Sequence, residues 1–443
     1  MAGRVIKLAG ESQSKKAIKV VVQGAELDEP RVTYTDDEDE FRIDNLPPGE
    51  DYQVTFYKEG HHEISKHGVY IQAGQVTTMD ISLGRWHQAR NASGQDLTDE
   101  QKQDIERLKS VGYLSGSQQA SARQNVTVFD SVLAGNGLNL YTSGHEACAF
   151  LIDMEGRVLH EWSFDRYIKW PHREISLNER PGFWRRVYAY PNGDLLAVYS
   201  GLGIIKLDKD SDLLWFNANG AHHDLDVAED GTIYVLARDA RVNPDIHPDK
   251  PVLEDFIALL APGGETIKEI SVYDAFKNSS YRHMLSRMNP HSDIFHTNSI
   301  EVFDGKLAHI SPFYKKGNVL ISSRVMDNIA IVDLNEEKVV WATLGDWKKQ
   351  HEPCLLENGN MLLFDNLDTE ISSKVIEFDP ATGDILWTYR GTPPESFFTV
   401  DCGSNQRLPN GNTLIIESNY GRAFEVTATG NIVWGVLQSA SCW

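Results

Sequence analysis

The sequence predicts an all-β protein: a six-bladed β-propeller preceded by a small β-sandwich and a linking helix. Two alternating repeats and a change of pattern near the N-terminus carry that prediction. The first repeat is a turn followed by an apolar run: Asn136-Gly-Leu-Asn-Leu, Asn192-Gly-Asp-Leu-Leu-Ala-Val, Asp230-Gly-Thr-Ile-Tyr-Val-Leu, Gly317-Asn-Val-Leu-Ile, Asn358-Gly-Asn-Met-Leu-Leu-Phe and Asn410-Gly-Asn-Thr-Leu-Ile-Ile. The second is a hairpin that closes on tryptophan, at Trp162, Trp215, Trp341, Trp387 and Trp434, with Ile270 in the third place. Before residue 125 neither repeat is present, and short period-two runs take their place.

Residues 1–15 are expected to form a tail. From 16 to 84, runs such as Ile18-Lys-Val-Val-Val, Tyr52-Gln-Val-Thr-Phe-Tyr and Val69-Tyr-Ile, separated by Gly, Pro and Asp, read as strands of a sandwich. Within them, Phe41-Arg-Ile-Asp-Asn-Leu-Pro-Pro-Gly-Glu-Asp-Tyr-Gln-Val-Thr-Phe resembles the carboxypeptidase-regulatory-like family, in which the Pro-Pro-Gly turn links two strands. The resemblance implies a spacer or adhesion module without chemistry, and a structural role for His61, His62 and His67. Residues 85–124 read as a linker containing a helix at 98–112. Thr98 and Gln101 form a capping-box pattern, Leu97, Ile105, Leu108 and Val111 form one apolar stripe, and Gly112 stands where a helix commonly stops.

Residues 125–443 are the expected propeller. The tryptophan spacing gives about 54 residues per unit, enough for a four-stranded sheet with its connections. Asn-Gly and Asp-Gly supply the positive φ angles of tight hairpin turns. Radial packing hides the edges of such sheets. One large ring per unit fills the gap between neighbouring sheets, so the tryptophan rhythm identifies architecture and implies no quinone cofactor. The long insert from Arg238 to Phe303 is expected to shape a binding mouth.

Composition limits the function. The 443 residues are 24% charged and 41% hydrophobic, with 42 Lys and Arg against 64 Asp and Glu, a net charge of −22. That balance argues against nucleic acid and anionic membrane surfaces as partners, and no apolar run is long enough to span a membrane. The start, Met1-Ala-Gly-Arg-Val-Ile-Lys, lacks the apolar region of a secretory signal, so the chain is cytoplasmic or a signal precedes this numbering. Cys148, Cys354, Cys402 and Cys442 show no CxxC or CxxCH spacing; two disulfides are allowed, a Cys402–Cys442 pair near the closure of the ring among them.

Histidines recur at one place in the repeat. Ala221-His-His-Asp-Leu-Asp-Val, Phe295-His-Thr-Asn-Ser-Ile-Glu-Val and Gln350-His-Glu-Pro-Cys-Leu-Leu each put a histidine at the start of a strand that leads into a turn. Three units therefore deliver imidazoles to one end of the channel. Arg324 ends a strand in the same unit as His296. A cationic, imidazole-rich funnel in an acidic protein suits small oxyanions. Strand alternation sends only one of His222 and His223 inward. The absence of HxH and HExxH spacing argues against zinc or copper.

These pieces, with Ile321-Ser-Ser-Arg, the run from Gln350 to Asn366 and Gln406-Arg-Leu-Pro-Asn-Gly-Asn-Thr-Leu, resemble the arylsulfotransferase family. The resemblance implies sulfuryl transfer from an aryl sulfate to a phenol through a sulfohistidine, without an adenylyl-sulfate cofactor and with no metal. His351 would be the nucleophile; His223, His296 and Arg324 would bind the sulfuryl oxygens. His222, Asn298 and Asn405 are the expected substrate-binding neighbours. Asn298 would orient His296 or close a turn, and Asn405 lies where relatives often carry a further histidine. Family members work in the periplasm or outside the cell. The absence of a Walker-type loop agrees with a reaction that needs no nucleotide. A competing expectation is a non-catalytic propeller that binds or self-assembles extracellularly, with homo-oligomers forming through the N-terminal domain.

Overall fold

The computed structural model describes residues 1–6, 17–58, 63–82, 97–109, 125–144, 146–164 and 182–438. At the N-terminus, alternation of apolar and polar residues gives two facing sheets. One orders Arg31–Tyr34, Lys19–Gln23, Gly49–Tyr57 and Ile64–Ile71; the other orders Glu40–Arg42, Ala2–Ile6 and Thr78–Ser82. Val20, Val22, Phe41, Val54, Phe56 and Ile64 close the core between them. The Tyr52 hydroxyl donates to the Pro47 carbonyl at 2.8 Å, which fixes the Pro-Pro-Gly turn. The expected tail is corrected at its beginning. Ala2–Ile6 is a strand, parallel to Thr78–Ser82, and the Met1 ammonium donates to the Ile43 carbonyl at 2.8 Å. One isolated five-residue strand has no periodicity to reveal it. His61 and His62 lie outside the described residues, while His67 contacts Ser65 and the Phe216 ring.

The helix runs Asp99–Lys109. Its capping pair is reciprocal: the Gln101 N–H donates to Thr98 Oγ1 at 3.1 Å, and the Thr98 N–H donates to Gln101 Oε1 at 3.0 Å. Ile105 packs with Ala240 and Leu253, so the stripe docks on the chain's own long hairpin, Ile233–Val242 with Pro251–Leu260. Val111 and Gly112 lie outside the described residues.

Five consecutive sheets of the propeller have four strands each in chain order. They begin at Trp184–Ala189, Ala221–Val227, Thr297–Val302, His351–Leu355 and Ser404–Arg407, and these first strands lie side by side around the channel. The expectation of six four-stranded blades is therefore corrected to five. Asn139–Thr142, Cys148–Ile152 and Val158–Ser163 form a three-stranded sheet. The strand that would have completed it, Asn125–Phe129, pairs instead with Ile432–Leu437 at the outside of the last sheet and closes the ring.

Two kinds of contact join neighbouring sheets. Indole N–H groups donate to backbone carbonyls one unit on: Trp162 to Gly193 at 3.0 Å, Trp387 to Ala428 at 2.8 Å and Trp434 to Met154 at 2.8 Å. Carboxylates accept the next blade's backbone N–H groups: buried Asp224 from Ile300 and half-buried Asp226 from Val302, both at 2.8 Å, and half-buried Glu301 from Leu355 at 2.9 Å. The acidic residues of these motifs are thus staples between blades.

The sandwich continues the second sheet of the ring. Ile64–Ile71 pairs antiparallel with Leu213–Asn217, which makes one eight-stranded sheet. Lys66 Nζ meets Glu265 Oε1 at 2.5 Å beside this junction, with both side chains mostly buried. Cys148 is disulfide-bonded, whereas Cys354 and Cys402 keep their thiols. That corrects the Cys402–Cys442 pairing; Cys442 lies outside the described residues.

Candidate active site

Each histidine-bearing inner strand begins with an irregularity. The pairing register shifts between Ala221 and Leu225, between Thr297 and Ser299, and between His351 and Cys354. His223 and His296 adopt left-handed φ angles of 53° and 52°, a conformation that costs energy for a non-glycine residue. A bulge at the same place in successive blades re-aims the side chain toward the channel. His223, His351 and Asn298 consequently line one cavity of about 350 Å³ at the channel mouth. The rings of His223 and His296 are 4.8 Å apart edge to face.

His351 has its two ring nitrogens in different surroundings. Nδ1 lies 2.7 Å from Asn366 Oδ1 and 2.9 Å from the Lys349 carbonyl. The Asn366 amide cannot be reversed, because its Nδ2 donates to the carbonyls of Thr399 at 2.7 Å and Cys402 at 2.8 Å. Both neighbours of Nδ1 are acceptors, so Nδ1 carries the proton. Nε2 holds the lone pair, is buried, and makes no hydrogen bond among the described residues. Burial pushes the His351 pKa down to about 3; the Asn366 hydrogen bond opposes this, and Arg185, His296 and Arg324 add to it. The imidazole is therefore neutral across the physiological range.

His296 Nδ1 lies 2.7 Å from Asp293 Oδ2, a carboxylate–imidazole pair able to carry a proton on the far nitrogen. Burial lowers its pKa, and Asp293 works against that shift. His222 and His223 face each other through Nδ1 at 2.8 Å, an arrangement that excludes charge on both rings. Burial depresses both pKa values first, with nearby cations and imidazoles adding to the effect.

The remaining expected residues divide. His223 faces the cavity, whereas His222 turns behind it toward Asp255, 3.5 Å away. Arg324 pairs with Asp401, and its Nε is buried without a hydrogen-bond partner among the described residues. Asn298 does not hold His296. Its Nδ2 donates to the Gln350 carbonyl at 2.8 Å, beside His351, and its buried Oδ1, on the cavity wall, has no hydrogen-bond partner among the described residues. Asn405 is not brought to the cavity; its amide donates across to the Glu352 carbonyl at 3.0 Å. Among the described residues no group of three or more His, Cys, Asp and Glu side chains has the arrangement of a metal site.

Sequence reasoning missed Asn366, Asp293, Asp401 and Arg185. Arg185 lines the cavity, donates to Cys402 Sγ at 3.3 Å, and forms no ion pair among the described residues. It enters at the second position of Trp184–Ala189, near the head of an inner strand as His223 is in the next blade. That equivalence of place was the available signal.

The fold and site together define a β-propeller whose channel mouth gathers neutral imidazoles and guanidinium groups around one cavity, a site class suited to group transfer on anionic substrates. The chain belongs to the arylsulfotransferase (ASST) family, whose model matches residues 185–439. A carboxypeptidase regulatory-like domain matches residues 1–84. A comparison with curated proteins finds no matching relative. Among solved structures, a protein of unknown function from Bacteroides caccae is 14% identical, with a TM-score of 0.46, over 69% of this chain and 94% of that one. A streptogramin B lyase is 12% identical, with a TM-score of 0.40, over 74% of this chain and 86% of its own.

Proposed function

We propose that the protein transfers a sulfuryl group from an aryl sulfate to a phenol, with His351 as the carrier. The observation that carries this reading is the fixed tautomer of His351, with Nδ1 protonated and a buried Nε2 that has no partner among the described residues. The Nε2 lone pair attacks sulfur and the bond from sulfur to the aryl oxygen breaks. Its electron pair leaves on that oxygen, which takes a proton from His296. The incoming anionic ester favours the protonated form of His296, and Asp293 supports its charge. In the second half the acceptor phenol attacks sulfur and returns its proton to His296, and the nitrogen–sulfur pair goes back to Nε2.

Sulfuryl transfer, like phosphoryl transfer, develops charge on peripheral and leaving oxygens, so placed cations lower its barrier. Arg324 and Arg185 supply them, with His223 alongside. Asn298 Oδ1, a buried acceptor with no partner among the described residues, suits the hydroxyl of the neutral phenol. The Cys148 disulfide agrees with a periplasmic or extracellular location. Among the described residues no helix is long and apolar enough to cross a membrane.

Intact-mass analysis after mixing with 4-nitrophenyl sulfate tests the reading. A sulfuryl adduct on the native protein and none on His351→Ala is the expected result. Release of nitrophenol by both proteins at equal rates, or by neither with any of several phenols, would overturn it.

A further inference from the structure

The cavity does not end at the imidazoles. Its wall takes residues from successive strands of the last sheet: Ser404 from the inner strand, Leu414 and Ile416 from the second, Ala423 from the third, Trp434 and Val436 from the fourth. Leu414 with Ile416, and Trp434 with Val436, are two apart in their strands and therefore share one face. The opposite wall comes from the three-stranded first sheet, through Tyr141 and Ile152. The space is a radial slot that runs outward from His351 and His223 between the first and last sheets, with these apolar side chains on both walls and Arg422, Asn419 and Gln438 also lining it.

Resting on the sulfuryl-transfer reading, we infer that this slot is the subsite for the aromatic part of the substrate and that it selects phenols and aryl sulfates of two fused or linked rings. Small-molecule sites span roughly 300–1,000 Å³, and the volume here, about 350 Å³, is at the lower end of that range. With the reacting oxygen at Nε2 of His351, the first ring lies by Ile416, beside Ser404, and the second by Ala423 and Val436, the next residues outward in the same row. A one-ring substrate reaches only the inner half. The slot exists because the first sheet has three strands where its neighbours have four, so selection by ring count follows from the closure of the ring.

The test separates binding from turnover. Quenching of tryptophan fluorescence reports binding of 2-naphthol, while kcat/KM is measured for 2-naphthyl sulfate and 4-nitrophenyl sulfate. In Val436→Trp, which fills the outer slot, 2-naphthol affinity and kcat/KM for the naphthyl ester each fall at least tenfold, and kcat/KM for the one-ring ester changes less than twofold. Ile416→Ala widens the slot and shifts the preference further toward the larger ring. Melting curves accompany both variants, and if Val436→Trp fails to fold, Ile416→Ala decides alone. Equal effects on the two esters, or unchanged naphthol binding, overturn the inference. Absence of turnover with intact naphthol binding in the native protein overturns the sulfuryl-transfer reading and leaves the slot standing.

Discussion

Asn366 Oδ1 accepts from His351 Nδ1 at 2.7 Å, and the Asn366 amide is itself held by the Thr399 and Cys402 carbonyls. The tautomer of His351, the proposed carrier, is thus set through backbone groups of the loop that follows the fifth sheet of the ring.

Asn366→Leu removes the acceptor and takes away the amide that donates to the Thr399 and Cys402 carbonyls. It is expected to lower kcat by one to two orders of magnitude, the usual scale for removing a group that orients a reactive side chain. Asn366→Asp keeps the acceptor beside the ring and adds a negative charge. Transfer should persist there, with the acid limb of its pH profile moved upward. Rates and pH profiles of the two variants check this, and identical behaviour would deny Asn366 its role.

Depressed imidazole pKa values have two consequences for pH. His351, held down to about 3, keeps its lone pair well below the reference value of 6.5, so transfer should persist at pH 5. Stability behaves differently. The unfolded chain takes up protons on these histidines below about 6.5 while the folded state refuses them. Stability is therefore full above that pH and declines as pH falls toward the folded values, by up to ~1.4 kcal/mol per pH unit for each such group. Urea midpoints at pH 7.5 and 5 measure the decline, and rates over the same range locate the acid limb.

Trp434 is buried in the ring closure and donates to the Met154 carbonyl at 2.8 Å. Trp434→Phe should cost about 1 kcal/mol for the lost hydrogen bond. Trp434→Ala should cost ~3–5 kcal/mol as a truncation of a large buried ring. Equilibrium unfolding in urea distinguishes the two, and equal losses would contradict the hydrogen-bond contribution.

At the junction with the sandwich, Lys66→Met strands a mostly buried Glu265 and should cost ~3–5 kcal/mol. The double variant Lys66→Met, Glu265→Met should recover most of that loss. Limited proteolysis between sandwich and propeller and the melting temperature report the outcome, and failure of the double variant to recover would assign the stability of the junction to strand pairing alone.

The repeat was legible because each unit restates the same turn and the same ring, and the histidines were legible because they recur at one place in it. What escaped has physical causes. Alternation cannot say which of His222 and His223 faces the channel, because the strand is bulged where they occur. Asn366 acts on an imidazole fifteen residues away that a neighbouring strand brings near, and Asp293, though only three residues before His296, lies in an irregular stretch where no period marks the pair. Asn405 sits where a ligand was expected, yet the pairing of adjacent blades uses its amide. The blade count failed at Asn125–Phe129, since sequence order does not tell which edge a strand will join.

That strand has a further consequence for how the protein is made. Asn125–Phe129 waits through some three hundred residues of synthesis before its partner Ile432–Leu437 leaves the ribosome. Until then the first and last sheets are apart, and the slot between them has only one wall. The slot is the last part of the ring to take shape, and a nascent propeller is without it until closure.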